Sequence, residues 1–159
     1  MECLQQEPLT ALKFIDNLAY ELGSLFGRIH SYRMAGYGDP LNDNSLSSDS
    51  STYFTMKFEE GIPECNNHLP KALIEKCLRY YEKNLYLLDS VDGPCIVHRD
   101  FRQANVMIYN SKAQGVVDWS SARGSFAEED FCVLMHDGWK VSPLSKQFFS
   151  RVCSYQKST

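Results

Sequence analysis

Two apolar runs too short for helices, joined by a fixed set of polar residues, constrain this chain more than any other feature. Between Pro94 and Trp119 it reads PCIVHRDFRQANVMIYNSKAQGVVDW. Cys95-Ile96-Val97 suits a buried strand, and the charged triplet His98-Arg99-Asp100 begins where that strand must end. Asn105 opens a second run, Val106 to Tyr109. Asn110, Ser111 and Lys112 make a turn, and Gly115-Val116-Val117 returns the chain to Asp118 and Trp119. The spacing predicts a strand at 95–98 and a hairpin of 106–109 with 114–117, which brings Asp118 back beside Asn105.

Such an arrangement has the parts that phosphoryl transfer requires: a base beside an acceptor hydroxyl, and hard oxygen ligands for the metal ions that accompany nucleotide phosphates. Asp100 is the candidate base. Asn105 and Asp118 are candidate Mg²⁺ ligands, an amide and a carboxylate that leave the remaining positions to phosphate and water. Arg102, two residues past the base, can aim a fixed positive charge at the transferred group.

The pattern His98-Arg99-Asp100-Phe101-Arg102-Gln103-Ala104-Asn105, followed by a hairpin to an aspartate, resembles the catalytic core of the protein-kinase-like superfamily. The ending Val117-Asp118-Trp119 is closer to the aminoglycoside phosphotransferase and choline kinase-like families than to protein kinases, which place Phe-Gly after that aspartate. The segment Leu22-Gly23-Ser24-Leu25-Phe26-Gly27-Arg28-Ile29-His30, with Gly36-Tyr37-Gly38 beyond it, is similar to another stretch of those families. So is Ser120 to Asp130. The resemblance covers roughly residues 18 to 135. It implies an ATP-dependent small-molecule kinase with Mg²⁺ and a small-molecule acceptor, in which Asp100, Arg102 and His98 form the catalytic group. In such families the histidine is mostly structural, bracing the loop. Asn105 and Asp118 would hold the nucleotide's metal.

What the resemblance also implies is missing from these residues. Kinase-like enzymes grip ATP with a glycine-rich loop and a strand lysine paired to a helix glutamate, and neither stands ahead of the first helix. Gly36 and Gly38 do not substitute, since no third glycine or lysine follows at phosphate-loop spacing. The expectation is therefore an α+β, mainly helical fold equivalent to a kinase-like C-terminal lobe, with small β-hairpins carrying the catalytic loop and the N-terminal nucleotide lobe absent. Its partner would be a separate nucleotide-binding lobe, or a second copy through self-association. The alternative is a non-catalytic binding domain or remnant of such a kinase.

The remainder of the chain reads as one domain over 1–159, with a core at about 9–138, a variable loop at 34–68 and a poorly matched tail at 139–159. Leu12, Ile15, Leu18, Leu22, Leu25, Phe26 and Ile29 make one stripe on a helix from Pro8 to Tyr32, with Pro8 in its first turn. His30, at that helix's end, caps carbonyls. LNDNSLSSDSSTYF is rich enough in Ser, Asp and Asn to be a loop or mobile flap; the resemblance implies that it helps select the acceptor, and an ordinary disordered loop is the alternative. A second helix, Leu69 to Leu88, packs on the first with Leu73, Ile74, Cys77, Leu78, Tyr81, Leu85 and Leu88 on its buried face. A third spans Ala127 to Gly138, where Glu128, Glu129 and Asp130 complement the helix dipole and Asp130 also holds the preceding loop. Arg123 reaches a phosphate or pairs with one of those acids.

At 159 residues the chain can bury a core without disulfides. A net charge of −4 disfavours nucleic acid bound through a general basic surface and suits a cationic or neutral acceptor. The six cysteines are scattered without zinc-ligand spacing. The beginning does not resemble a signal peptide, and no run reaches the ~18 apolar residues of a membrane span. The thiols then read as reduced, in a cytoplasmic protein that engages no membrane.

Overall fold

Leu18, Leu22, Phe26 and Ile29 are all buried on one face of helix α1 (Asp16–His30), the stripe that the three-and-four spacing dictates. They form the main core with Phe101, from within the polar loop, and Val106, which follows it. The computed structural model describes residues 7–8, 16–42, 46–110 and 112–136. The tail at 139–159 and the expected beginning of the first helix at 9–15 lie outside these. Pro8 does not open a helix. It belongs to a two-residue strand β1 (Glu7–Pro8), opposite Met107. That is an edge position, where a residue without an N–H costs no ladder bond.

The strands form two small antiparallel sheets. Strand β2 (Cys95–Val97) pairs with β5 (Arg123–Ser125), Ile96 opposite Gly124. Strand β3 (Val106–Tyr109) pairs with β4 (Lys112–Val116) on one side and with β1 on the other, with a register shift between Met107 and Ile108. The strand and hairpin are thus within two residues of expectation, except that Val117 leaves the ladder before Asp118. Gly36 and Gly38 serve neither a phosphate loop nor a simple turn. Gly38 exchanges backbone bonds of 2.8 and 2.9 Å with Gly124, and a Cβ on Gly124 would run into the Gly36 carbonyl.

The largest departure from the sequence reading is helix α2 (Ser50–Asn66), which occupies much of the expected loop at 34–68. The polar residues that suggested a loop are its cap. Asp49 accepts from the Thr52 N–H at 2.7 Å and from the Ser51 hydroxyl at 2.9 Å. Beyond the cap Tyr53 is buried, and Phe54 and Phe58 stack on Tyr81 at 6.2 and 4.1 Å between ring centroids. Tyr81 lies on helix α3 (Lys71–Asn84), whose end tightens into a 3₁₀ turn, Leu85–Ser90. Helix α3 packs on α2 rather than along α1 as expected. Ile74 is its buried residue, while Leu73 and Cys77 on the predicted inner face are exposed. Helix α4 (Glu128–His136) ends the described chain.

Architecture is therefore α+β. Among the described residues, Cys65, Cys77, Cys95 and Cys132 are free thiols, and no helix is long and apolar enough to cross a membrane.

Two glycine substitutions test these placements by urea denaturation. Gly61 lies in α2 with no heavy atom near its would-be Cβ, so Gly61→Ala should raise stability by roughly 0.5–1 kcal/mol. No gain would argue against helix at that position. Gly124→Ala should cost about 1–3 kcal/mol through forced displacement of the Gly36 segment. An unchanged midpoint would contradict the close approach.

Candidate active site

The loop after β2 is held from below by a single buried carboxylate. Asp130, in the first turn of α4, is fully buried, and its Oδ2 accepts the His98 N–H at 2.9 Å while its Oδ1 accepts the Arg99 N–H at 2.5 Å. Arg99 has φ 63°, a left-handed conformation uncommon for a residue with a Cβ. Oδ2 also accepts from Nε2 of His30, 3.0 Å away at the end of α1. From sequence position alone His30 is expected to cap carbonyls, and all three acids of α4 to complement the helix dipole. Burial decides otherwise: a carboxylate and an imidazole out of water need partners, and they find each other. For Asp130 the expected loop-holding role is the one observed.

His98 lies under the loop with no exposed surface. Its Nε2 is 2.9 Å from the Val117 carbonyl, which can only accept, and its Nδ1 lies 3.3 Å from the Asp100 N–H, which can only donate. These partners put the ring proton on Nε2. The imidazole thus joins the start of the loop to the strand end that precedes Asp118. Trp119 meets its edge at 4.7 Å.

Phe101 points the other way, into the core against Phe26 at 4.6 Å, so its polar neighbours turn outward. Asp100 and Asn105 then meet across the 3₁₀ turn Gln103–Asn105. The Asn105 Nδ2 donates to the Asp100 carbonyl at 2.8 Å and to its Oδ2 at 2.9 Å. That commits the amide nitrogen and leaves Oδ1 as the atom suited to a cation. Arg102 turns back on Asp100, with Nε at 2.6 Å and Nη2 at 2.5 Å from Oδ1. The carboxylate thus has a donor on each oxygen. The Arg102 side chain is 54% exposed.

Asp118 reaches the same region through the hairpin. The Val117 N–H donates to the Asn105 carbonyl at 2.9 Å, so Asp118 follows one residue beyond that junction. Its backbone is left-handed, φ 62° and ψ 66°, which turns the chain sharply into the 3₁₀ turn Trp119–Ser121. The Ser120 hydroxyl donates to its Oδ1 at 2.7 Å and holds the exposed carboxyl below the usual range.

The structure therefore brings Asp100, Arg102 and Asn105 into direct contact, with Asp118 on the adjoining strand end and His98 beneath. Arg123 is not among them, and Glu129 pairs at 2.7 Å with Arg99. Ser120 and Phe101 are contributors that the sequence reading passed over. Ser120 had a signal, a hydroxyl two residues after an exposed acid.

A family model described as the phosphotransferase enzyme family matches residues 1–150. No curated protein sequence matches significantly. Among solved structures, the chain is similar to aminoglycoside phosphotransferase APH(2'')-Ib in its ADP-bound form, with 23% identity and a TM-score of 0.63 over 99% of this chain and 55% of that one. It is similar to APH(2'')-IIa in complex with gentamicin, with 24% identity and a TM-score of 0.56 over 94% and 49%. Macrolide 2'-phosphotransferase MphH from Brachybacterium faecium, an apoenzyme, gives 15% identity and a TM-score of 0.63 over 96% and 53%. The chain thus spans about half the length of the structures it matches, and at these identities the likeness concerns the fold. The match over residues 1–150 places the chain in the phosphotransferase enzyme family.

Proposed function

We propose that residues 1–159 form the acceptor- and metal-binding part of a small-molecule phosphotransferase that uses ATP, a single unit equivalent to a kinase-like C-terminal lobe. The observation that carries this reading is the contact of Asp100 with Asn105, at 2.8 and 2.9 Å, beside the strand end that delivers Asp118. In this reading Asp100 takes the proton from the acceptor hydroxyl as its oxygen bonds to the γ-phosphorus, and the bond from that phosphorus to the ADP oxygen breaks. Arg102 leaves Asp100 Oδ1 and turns to the phosphoryl oxygens, exposing the base and moving positive charge to where negative charge builds. His98 positions the loop from below.

The donor chemistry fits Mg²⁺, with an amide oxygen of Asn105 and a carboxylate of Asp118 that its Ser120 bond keeps ionised. When bound, the ion would neutralise charge between the nucleotide phosphates. Two ligands make a weak site without nucleotide. The acidic balance of the chain favours a cationic acceptor, in line with the gentamicin and streptomycin bound in the APH(2'')-IIa structures.

Two outcomes are expected. An ADP-release assay on the purified 159-residue chain, run across aminoglycosides, choline and amino-sugars, should show no acceptor-dependent turnover. Positioning supplies nearly all the catalysis in this reaction class, and these residues carry no glycine-rich loop or lysine clamp. Turnover that disappears in Asp100→Asn would overturn the need for a separate nucleotide lobe. In a chimera carrying a phosphotransferase nucleotide lobe ahead of residue 1, acceptor-dependent activity should appear, and Asp100→Asn should reduce it by about 10²–10⁴. A parent-like rate in that variant would remove Asp100 from the base role.

A further inference from the structure

We infer that His30, which lies 68 residues before His98 and touches none of the proposed catalytic groups, is a positioning residue for the loop that carries Asp100. The inference deepens the proposed function, since the loop matters only if Asp100 acts there.

The His30 ring is 1% exposed. Phe26 meets it edge-on at 4.3 Å and Phe131 at 6.1 Å, so its walls are apolar. Nδ1 is buried and has no hydrogen-bond partner among the described residues. A proton on Nδ1 would be buried there without an acceptor, whereas a proton on Nε2 points at Asp130 Oδ2, 3.0 Å away. The pair therefore has one favourable arrangement, Nε2–H donating to the carboxylate. That bond is one of three on Asp130, and the other two go to the backbone N–H groups of His98 and Arg99. A carboxylate turns about its last side-chain torsion unless it is fixed, and its orientation sets whether Oδ1 meets Arg99 while Oδ2 meets His98. His30 fixes that orientation from α1. The left-handed backbone at Arg99, which aims Asp100 outward, depends on it.

A core histidine that only filled space would behave differently. Leucine would then replace it better than glutamine, because leucine suits the phenylalanine walls. If donation is what matters, the order reverses, since the glutamine side-chain amide can still donate to Asp130.

The experiment is amide hydrogen exchange on the full chain, comparing His30→Gln and His30→Leu with the parent, with urea denaturation reporting global stability. His30→Leu should lose protection at the His98 and Arg99 amides by about tenfold beyond any global change. His30→Gln should stay within about threefold of the parent. Parent-like protection in His30→Leu, or an equal loss in both variants, would overturn the inference. Should neither variant fold, imidazole ¹⁵N spectra of the parent still decide: a proton on Nε2 with bare Nδ1 supports it, and the opposite tautomer overturns it. None of these readouts involves nucleotide or turnover, so they stand apart from failure of the phosphotransferase reading.

Discussion

The carboxylate of Asp130 is the interaction on which the site's geometry depends. Burying an ionised group costs several kcal/mol in order of magnitude unless hydrogen bonds replace its water. Here three N–H groups do so, from His30, His98 and Arg99. The same bonds that satisfy the charge hold two consecutive backbone amides of the loop against α4, one of them in a left-handed conformation that a chain would otherwise leave. Helix α1, the turn after β2 and the start of α4 are thereby joined at one point, although they are far apart in sequence.

From that fixed point the loop is built by alternation. Residues that face inward do so for apolar or hydrogen-bonding reasons: Phe101 fills the core against Phe26, and His98 bridges to the Val117 carbonyl. The outward-facing remainder includes Asp100, Arg102 and Asn105. The β3–β4 ladder, extended by the backbone bond from Val117 to Asn105, then brings Asp118 alongside. Two carboxylates, a guanidinium and an amide come together because their neighbours in the chain are committed elsewhere.

Much of this was legible in the sequence because it is local. The two short apolar runs and the fixed spacing from Asp100 to Asn105 specify strand, loop and hairpin, and the stripe from Leu18 to Ile29 specifies α1. Helix α2 was hidden because Ser and Asp residues have two uses. The same SSDSST composition that marks a loop also makes an N-cap, and the deciding signal was Phe54 and Phe58 four residues apart. The expected packing of α3 on α1 has the same origin, since without α2 the aromatic face of α3 has nowhere to go but α1. The bond between His30 and Asp130 was not legible at all. It joins residues 100 positions apart, and nothing local distinguishes a histidine that caps carbonyls from one buried against a distant acid.

A direct measurement of the proposed site is paramagnetic broadening by Mn²⁺·ATP in ¹⁵N spectra of the chain, at ligand concentrations high enough to populate a weak site. Manganese takes the same hard oxygen ligands as magnesium. The broadening should centre on the amides around Asn105 and from Val117 to Ser120, and Asp118→Ala should abolish it. Broadening centred elsewhere, or a pattern unchanged in Asp118→Ala, would contradict a nucleotide–metal site at the junction of the loop and the hairpin.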